Sequence, residues 1–119
     1  MSSQTASSAR VLEHPPREAI QLEAVLHALS DPMRLQIVRT LADLDEAVAC
    51  SVVDLAVSKS TSTHHFRVLR EAGVIHQCYQ GTAKLSGLRR DDLDALFPGL
   101  LDSVLAGARS QQSRREPAG

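Results

Sequence analysis

Tryptophan is absent from these 119 residues, and aromatic side chains make up 3% of them (Phe66, Tyr79 and Phe97). That is too few to build the stacking platforms on which proteins read single strands or RNA, so any nucleic-acid target should be duplex. Cysteine is nearly as scarce. Cys50 and Cys78 stand far apart without CxxC spacing, so neither a disulfide framework nor a zinc finger is indicated and free thiols are the expectation. No run of about eighteen apolar residues exists, and the opening MSSQTASSAR lacks the apolar stretch of a secretory signal. Neither membrane insertion nor export is expected, and the cytoplasm is the expected compartment. Glycine-rich phosphate loops are missing too, and the serines and histidines between Ser58 and His65 have no orienting carboxylate at a useful spacing. A catalytic reading therefore fails for want of a convergent nucleophile, base and oxyanion site, and no enzyme and no cofactor are expected.

What is present suits one domain with its own core, since 43% of the chain is hydrophobic. Residues 1–16, rich in Ser, Ala and Gln, read as a disordered arm, and residues 108–119 read as a disordered tail of the same polar character. Between them, residues 17–107 carry periodic structure. Ile20, Leu22, Val25, Leu26 and Leu29 recur at helical spacing. Asp31 then offers an N-cap and Pro32 a first helical position, so a second helix with Leu35, Val38 and Leu41 on its buried stripe should start there and end at the acidic stretch 43–46. A short third helix is expected over about 47–55. A fourth should run from the cap Ser58 to Ala72, with Gly73 closing it. Residues 74–80 and 82–88 read as two strands about Gly81, and Asp91 or Asp92 can cap a last helical stretch that Pro98 kinks or restarts. The expectation is a mainly α chain with a small β-hairpin, in the order ααααββα(α).

Charge is unevenly placed. Although the formal net charge is −1, the window 56–90 holds Lys59, Arg67, Arg70, Lys84, Arg89 and Arg90 against Glu71 alone, a surplus of five positive charges, and the acids lie on either side. On a helical wheel Ser60, Thr63, His64, Arg67 and Glu71 share one side of the fourth helix, with Ser62, Phe66 and Leu69 near the other. Phe66 and Leu69 should anchor the helix from behind. Its outward face of hydroxyls, imidazole and guanidinium suits a major groove, with Lys59 and Arg67 adding attraction to phosphates. A short helix, a tight turn and an outward second helix make a helix-turn-helix, and the hairpin behind supplies its wing.

The strings LSDPMRLQIV at 29–38 and VSKSTSTHHFRVLREAGVI at 57–75 resemble the ArsR/SmtB family of bacterial winged-helix repressors. With the hairpin, the resemblance covers most of residues 18–106. It implies a homodimer that binds an operator and leaves it on an inducing signal, with Ser60, Thr61, Thr63 and His64 in the major groove. The DNA-contacting residues expected from helix and wing together are Lys59, Ser60, Thr61, Thr63, His64, Arg67, Gln80, Thr82 and Lys84. Ser62 departs from the pattern, because such helices carry an aliphatic residue there. The apolar stripes at the two ends supply the expected dimer interface: Leu22, Val25, Leu26 and Leu29, then Leu93, Leu96, Phe97, Leu100, Leu101 and Val104. A two-fold dimer predicts an inverted-repeat operator with half-sites about 10 bp apart or a multiple.

Metal sensing in that family uses a Cys-x-Cys pair in the third helix, but Ala47 and Ala49 stand at the matching positions, one step from Cys50. A second family site needs Asp and His on the last helix. Asp91, Asp92 and Asp94 are there, but no histidine follows His76. Neither pattern is intact and no metal ligand is assigned. His76 and Cys78 should share a strand face, as two ligands of an incomplete site or as plain hairpin residues. The inducer stays open between metal, thiol oxidation and small molecule. The competing function is a winged-helix protein-interaction module that does not touch DNA, and the cationic window favours DNA over it.

Overall fold

The computed structural model describes residues 9–44, 47–49 and 57–115. In chain order these form β1 (Ala9–Val11), a single 3-10 turn (Arg17–Ala19), α1 (Leu22–Leu29), α2 (Pro32–Leu44), β2 (Val48–Ala49), α3 (Lys59–Ala72), β3 (Ile75–Gln80), β4 (Ala83–Leu88), α4 (Arg90–Leu96) and α5 (Leu100–Arg115). The four strands make one antiparallel sheet in the order β1-β3-β4-β2. A mainly helical chain with this hairpin directly behind α3 is a winged helix-turn-helix topology.

Local chemistry sets the helix boundaries. The Ser30 backbone N–H and hydroxyl both donate to the His27 carbonyl and close α1. One residue on, Asp31 accepts from the N–H groups of Met33 (2.8 Å) and Arg34 (3.3 Å), satisfying donors that the first turn of α2 leaves free. Desolvation opposes ionisation of Asp31, but those two hydrogen bonds, together with the nearby His65 and Arg34 side chains, outweigh it and hold the carboxyl below the usual range. Helix α3 starts at Ser58, whose hydroxyl accepts from the Thr61 N–H at 3.2 Å. It ends at Gly73, in the left-handed region (φ 89°), where the N–H groups of Gly73 and Val74 reach back to the carbonyls of Arg70 and Leu69.

The core lies where α1, α2, α3, the base of the hairpin and α5 meet. Phe66 and Leu69 of α3 pack there with Val25, Ile37, Val38, Leu41, Val74, Ile75, Leu101 and Leu105.

Several expectations change. The third helix was placed over 47–55, but Val48 and Ala49 form β2, in register with Ser86 and Leu85 of β4. The free edge of β4 offers backbone partners that helix-based periodicity does not register. The rest of that helix, with Cys50, lies outside the described residues. The arm read as disordered contributes β1, with Ala9, Arg10 and Val11 opposite Gln80, Tyr79 and Cys78. Its residues 1–8 lie outside the described residues. Helix α5 runs to Arg115, through the segment read as a disordered tail, because Ala, Gln and Arg are good helix formers and Arg114 and Arg115 suit the negative end of the dipole. Helix α4 begins at Arg90 without a side-chain cap, so neither Asp91 nor Asp92 plays the part expected of it. The break at Pro98 is there, with Gly99 at φ 83° before α5.

Candidate nucleic-acid interface

Helix α3 presents two chemically different sides. His65, Phe66, Leu69 and Ala72 are buried, whereas Lys59, Ser60, Thr61, Thr63, His64, Arg67 and Glu71 are exposed. The expected outward face is therefore free of the chain's own core. Ser62 is half-buried where the resemblance leads one to expect an aliphatic residue. At the start of the helix the Ser58 hydroxyl also lies 2.9 Å from Thr61 Oγ1 and 3.3 Å from Ser60 Oγ, a cluster of small groups that lets another backbone come close.

The buried side is less apolar than the wheel suggested. Arg34 of α2 is buried and donates through Nε to the Ala28 carbonyl (2.7 Å) and through Nη2 to that of His27 (3.4 Å). Its Nη1 lies 3.2 Å from His65 Nδ1, which must be the acceptor because a guanidinium has no lone pair to offer. One arginine thus ties the end of α1 and the start of α2 to the middle of α3. Sequence reasoning missed this clamp, because Arg34 sits in a stretch that reads as an ordinary helix start.

In the wing, a two-residue turn, Gly81-Thr82, joins β3 and β4, with Gly81 at φ 64°. Gln80 and Thr82 are exposed, and the half-buried Lys84 places Nζ 5.5 Å from the centre of the Tyr79 ring, a cation–π contact that steadies the ammonium near the wing tip. Simple alternation along 82–88 would set the apolar Ala83 and Leu85 on the face turned inward and Ser86 on the other. Instead Ala83 is exposed, Leu85 half-buried, and Ser86 fully buried opposite Gln77.

The cationic surplus of the 56–90 window is largely directed elsewhere. Arg89 pairs with Asp92 (2.8 Å) and donates to the Pro15 carbonyl (2.8 Å), Arg90 pairs with Asp102 (3.0 Å), and Arg70 turns inward to Gln77 (2.8 Å). Arg17 reaches the same Asp92 at 2.7 Å. Desolvation works against ionised Asp92, but the hydrogen bonds from Arg17 and Arg89 and the positive charges of both together prevail and keep the carboxyl below its usual range. Lys59, Arg67 and Lys84 are left to define the positive character of the helix and wing.

On the opposite sheet face the exposed His76 stacks on His14 at 4.6 Å, and Cys78 is half-buried. Among the described residues no group of three or more His, Cys, Asp or Glu side chains could hold a metal ion, and no helix is long and apolar enough to cross a membrane.

The apolar stripes divide. Val25 (1% exposed), Leu29 (5%), Leu93 (2%) and Leu101 (2%) belong to the chain's own core and are not available to a partner, a correction to the interface expected of them. Leu22 (41%) and Leu26 (46%) stand exposed on α1. Leu96, Phe97, Leu100 and Val104 are half-buried against the core.

Fold and site together define a winged helix-turn-helix protein, and comparison with known proteins agrees. A family model described as a helix-turn-helix domain matches residues 29–78. An uncharacterized HTH-type transcriptional regulator, YceK of Bacillus subtilis (strain 168), is 34% identical over 82 residues, which cover 67% of this chain and 82% of that one. The chain belongs to the HTH-type transcriptional regulators, a family of regulators rather than enzymes. Another such regulator, from Methanocaldococcus jannaschii, is 32% identical over 59 residues, 49% of this chain and 66% of that one. The crystal structure of an ArsR family transcriptional regulator superposes with a TM-score of 0.57 at 19% identity, over 87% of this chain and 100% of that chain, a likeness of fold.

Proposed function

We propose that this chain is a cytoplasmic, sequence-specific repressor of the ArsR/SmtB type that binds duplex operator DNA as a homodimer and is released by an inducing signal. The observation that carries the reading is the exposed face of α3. Thr63, His64 and Arg67 point to solvent while Phe66 and Leu69 hold the helix from behind. Side chains of these types match base edges and phosphates of a major groove. In this reading Ser60, Thr61, Thr63 and His64 approach the bases and backbone, Lys59 and Arg67 neutralise phosphates, and Gln80, Thr82 and Lys84 of the wing touch the flanking strand. Leu22 and Leu26, with Leu96, Phe97, Leu100 and Val104, supply the dimer contact. The two recognition helices then read an inverted repeat.

The test is fluorescence anisotropy on duplexes selected from genomic DNA, repeated at rising salt. If a dimer places Lys59, Arg67 and Lys84 of both protomers on phosphates, log K falls by roughly five per log unit of salt. Arg67→Ala should weaken binding to every sequence, whereas Thr63→Ala and His64→Ala should cost about 1–3 kcal/mol of discrimination at the bases they reach. A protein that ignores duplex DNA at low salt is an interaction module instead, and unchanged binding in all three variants removes α3 from the groove.

A further inference from the structure

Gln77 and Ser86 are fully buried at the place where the recognition helix meets the wing, and they face each other in register across β3 and β4. The Gln77 amide nitrogen donates to Ser86 Oγ at 2.9 Å, and its amide oxygen accepts from Arg70 Nη1 of α3 at 2.8 Å. The backbone of the same residue serves the N-terminal segment. Its N–H donates to His14 Nε2 at 2.9 Å and its carbonyl accepts from the Leu12 N–H at 3.4 Å. Gln77 therefore joins α3, both wing strands and the segment that precedes α1.

Stability alone does not account for this chain of polar groups. Desolvating an amide, a hydroxyl and part of a guanidinium is costly, and a well-packed apolar cluster of the same volume is as stable or more so. Arg70 also leaves its Nε buried with no hydrogen-bond partner among the described residues, an added cost. What hydrogen bonds supply and apolar contacts do not is direction. From Gln77 to the turn at Gly81 is four residues, or about 13 Å at ~3.3 Å per residue. A tilt of about 15° at Gln77 would move the tip by about 3 Å, enough to break a hydrogen bond there.

We infer that Gln77 is a positioning residue that sets the wing against the recognition helix, so that Lys84 and the exposed face of α3 meet one duplex together. The inference rests on the DNA-reading function proposed above. Gln77→Met keeps length and removes the side-chain hydrogen bonds to Arg70 and Ser86. Gln77→Glu keeps an acceptor for Arg70 and for the Ser86 hydroxyl. The experiment is a double-mutant cycle with Lys84→Ala in the full chain, read as anisotropy on a selected duplex at several salt concentrations. In the wild type, Lys84→Ala should weaken binding several-fold and lower the salt slope by about 0.9 for each phosphate that is no longer neutralised. In the Gln77→Met background binding should already be weaker and the slope already lower, Lys84→Ala should add nothing, and Arg67→Ala should keep its full effect. Gln77→Glu should restore the wild-type slope and the Lys84 effect. If Lys84→Ala acts equally in both backgrounds, or has no effect in the wild type, Gln77 does not position a DNA-contacting wing and the inference falls, while a retained Arg67 effect leaves the α3 reading standing. Absence of any salt-dependent binding by the wild type overturns both. Thermal unfolding checks that Gln77→Met folds, and Ser86→Ala, which removes the hydroxyl that accepts from Gln77, runs through the same cycle if it does not.

Discussion

Gly73 concentrates the stop signal of α3 in one residue. At φ 89° it occupies backbone space that an L side chain enters at a cost of about 1–2 kcal/mol. A Cβ built there would also lie 2.6 Å from Cγ1 and 2.7 Å from Cδ1 of Ile20, itself part of the core. Both terms act on the folded state, so Gly73→Ala should lower stability by more than the backbone cost alone, about 2 kcal/mol or above. Urea unfolding checks it: the midpoint should fall with the slope unchanged, and adding Ile20→Ala should make the two losses less than additive. A midpoint within error of wild type would mean that the chain re-routes at this cap without cost. Such single-residue signals were the most legible part of the sequence. Asp31, Pro32, Ser58 and Gly73 announce themselves because capping and positive φ draw on few residue types. Arg34, Arg70 and Gln77 do not, since nothing in a one-dimensional string marks an arginine or glutamine that turns inward to a buried acceptor.

Among the elements, long periodic ones were easier to read than short strands, and the reason is length. Helix α3, with 14 residues, repeats its apolar side several times, whereas β1 has three residues and β2 two, too few for any period to emerge. Both short strands exist because the hairpin leaves free edges for a passing backbone, and that condition is tertiary. Attachment of the N-terminal segment also carries a pH signature. His14 accepts the Gln77 N–H through Nε2, which requires the neutral ring at that nitrogen. Burial, then the neighbouring His76, and more weakly Arg89 and Arg70, lower its pKa despite a backbone hydrogen bond at Leu12 that acts the other way. Released, His14 would titrate near the ordinary histidine value of about 6.5. Between the lowered value and 6.5 the released form binds more protons than the docked form, so docking strengthens as pH rises through that window and weakens as pH falls through it. Amide exchange at Gln77 should accordingly be faster at pH 5 than at pH 8 once corrected for the intrinsic rate, and His14→Ala should abolish the pH dependence. Equal corrected protection at the two pH values would detach the segment's docking from His14.

At the scale of the whole molecule the proposed homodimer raises the question of which apolar surface a second copy would cover. The sequence offered ten candidates, and burial reduces them, because a side chain already enclosed by its own core has no area left to give a partner. Leu22 and Leu26 remain exposed on one helix, four positions apart and so on one face, which is the arrangement that two-fold packing of helices uses. Neither supports the monomer core, so Leu26→Glu should leave the thermal unfolding of the isolated chain within about 0.5 kcal/mol of wild type. It would, however, place a carboxylate in a closed apolar contact and oppose it to its symmetry mate. Sedimentation equilibrium should therefore shift from dimer toward monomer. Operator affinity should fall by about a hundred-fold or more as the second half-site ceases to be held at high effective concentration, while affinity for an isolated half-site stays the same. If the variant sediments as wild type and binds the full operator as tightly, α1 lies outside the proposed interface, which then falls to the half-buried face formed by Leu96, Phe97, Leu100 and Val104.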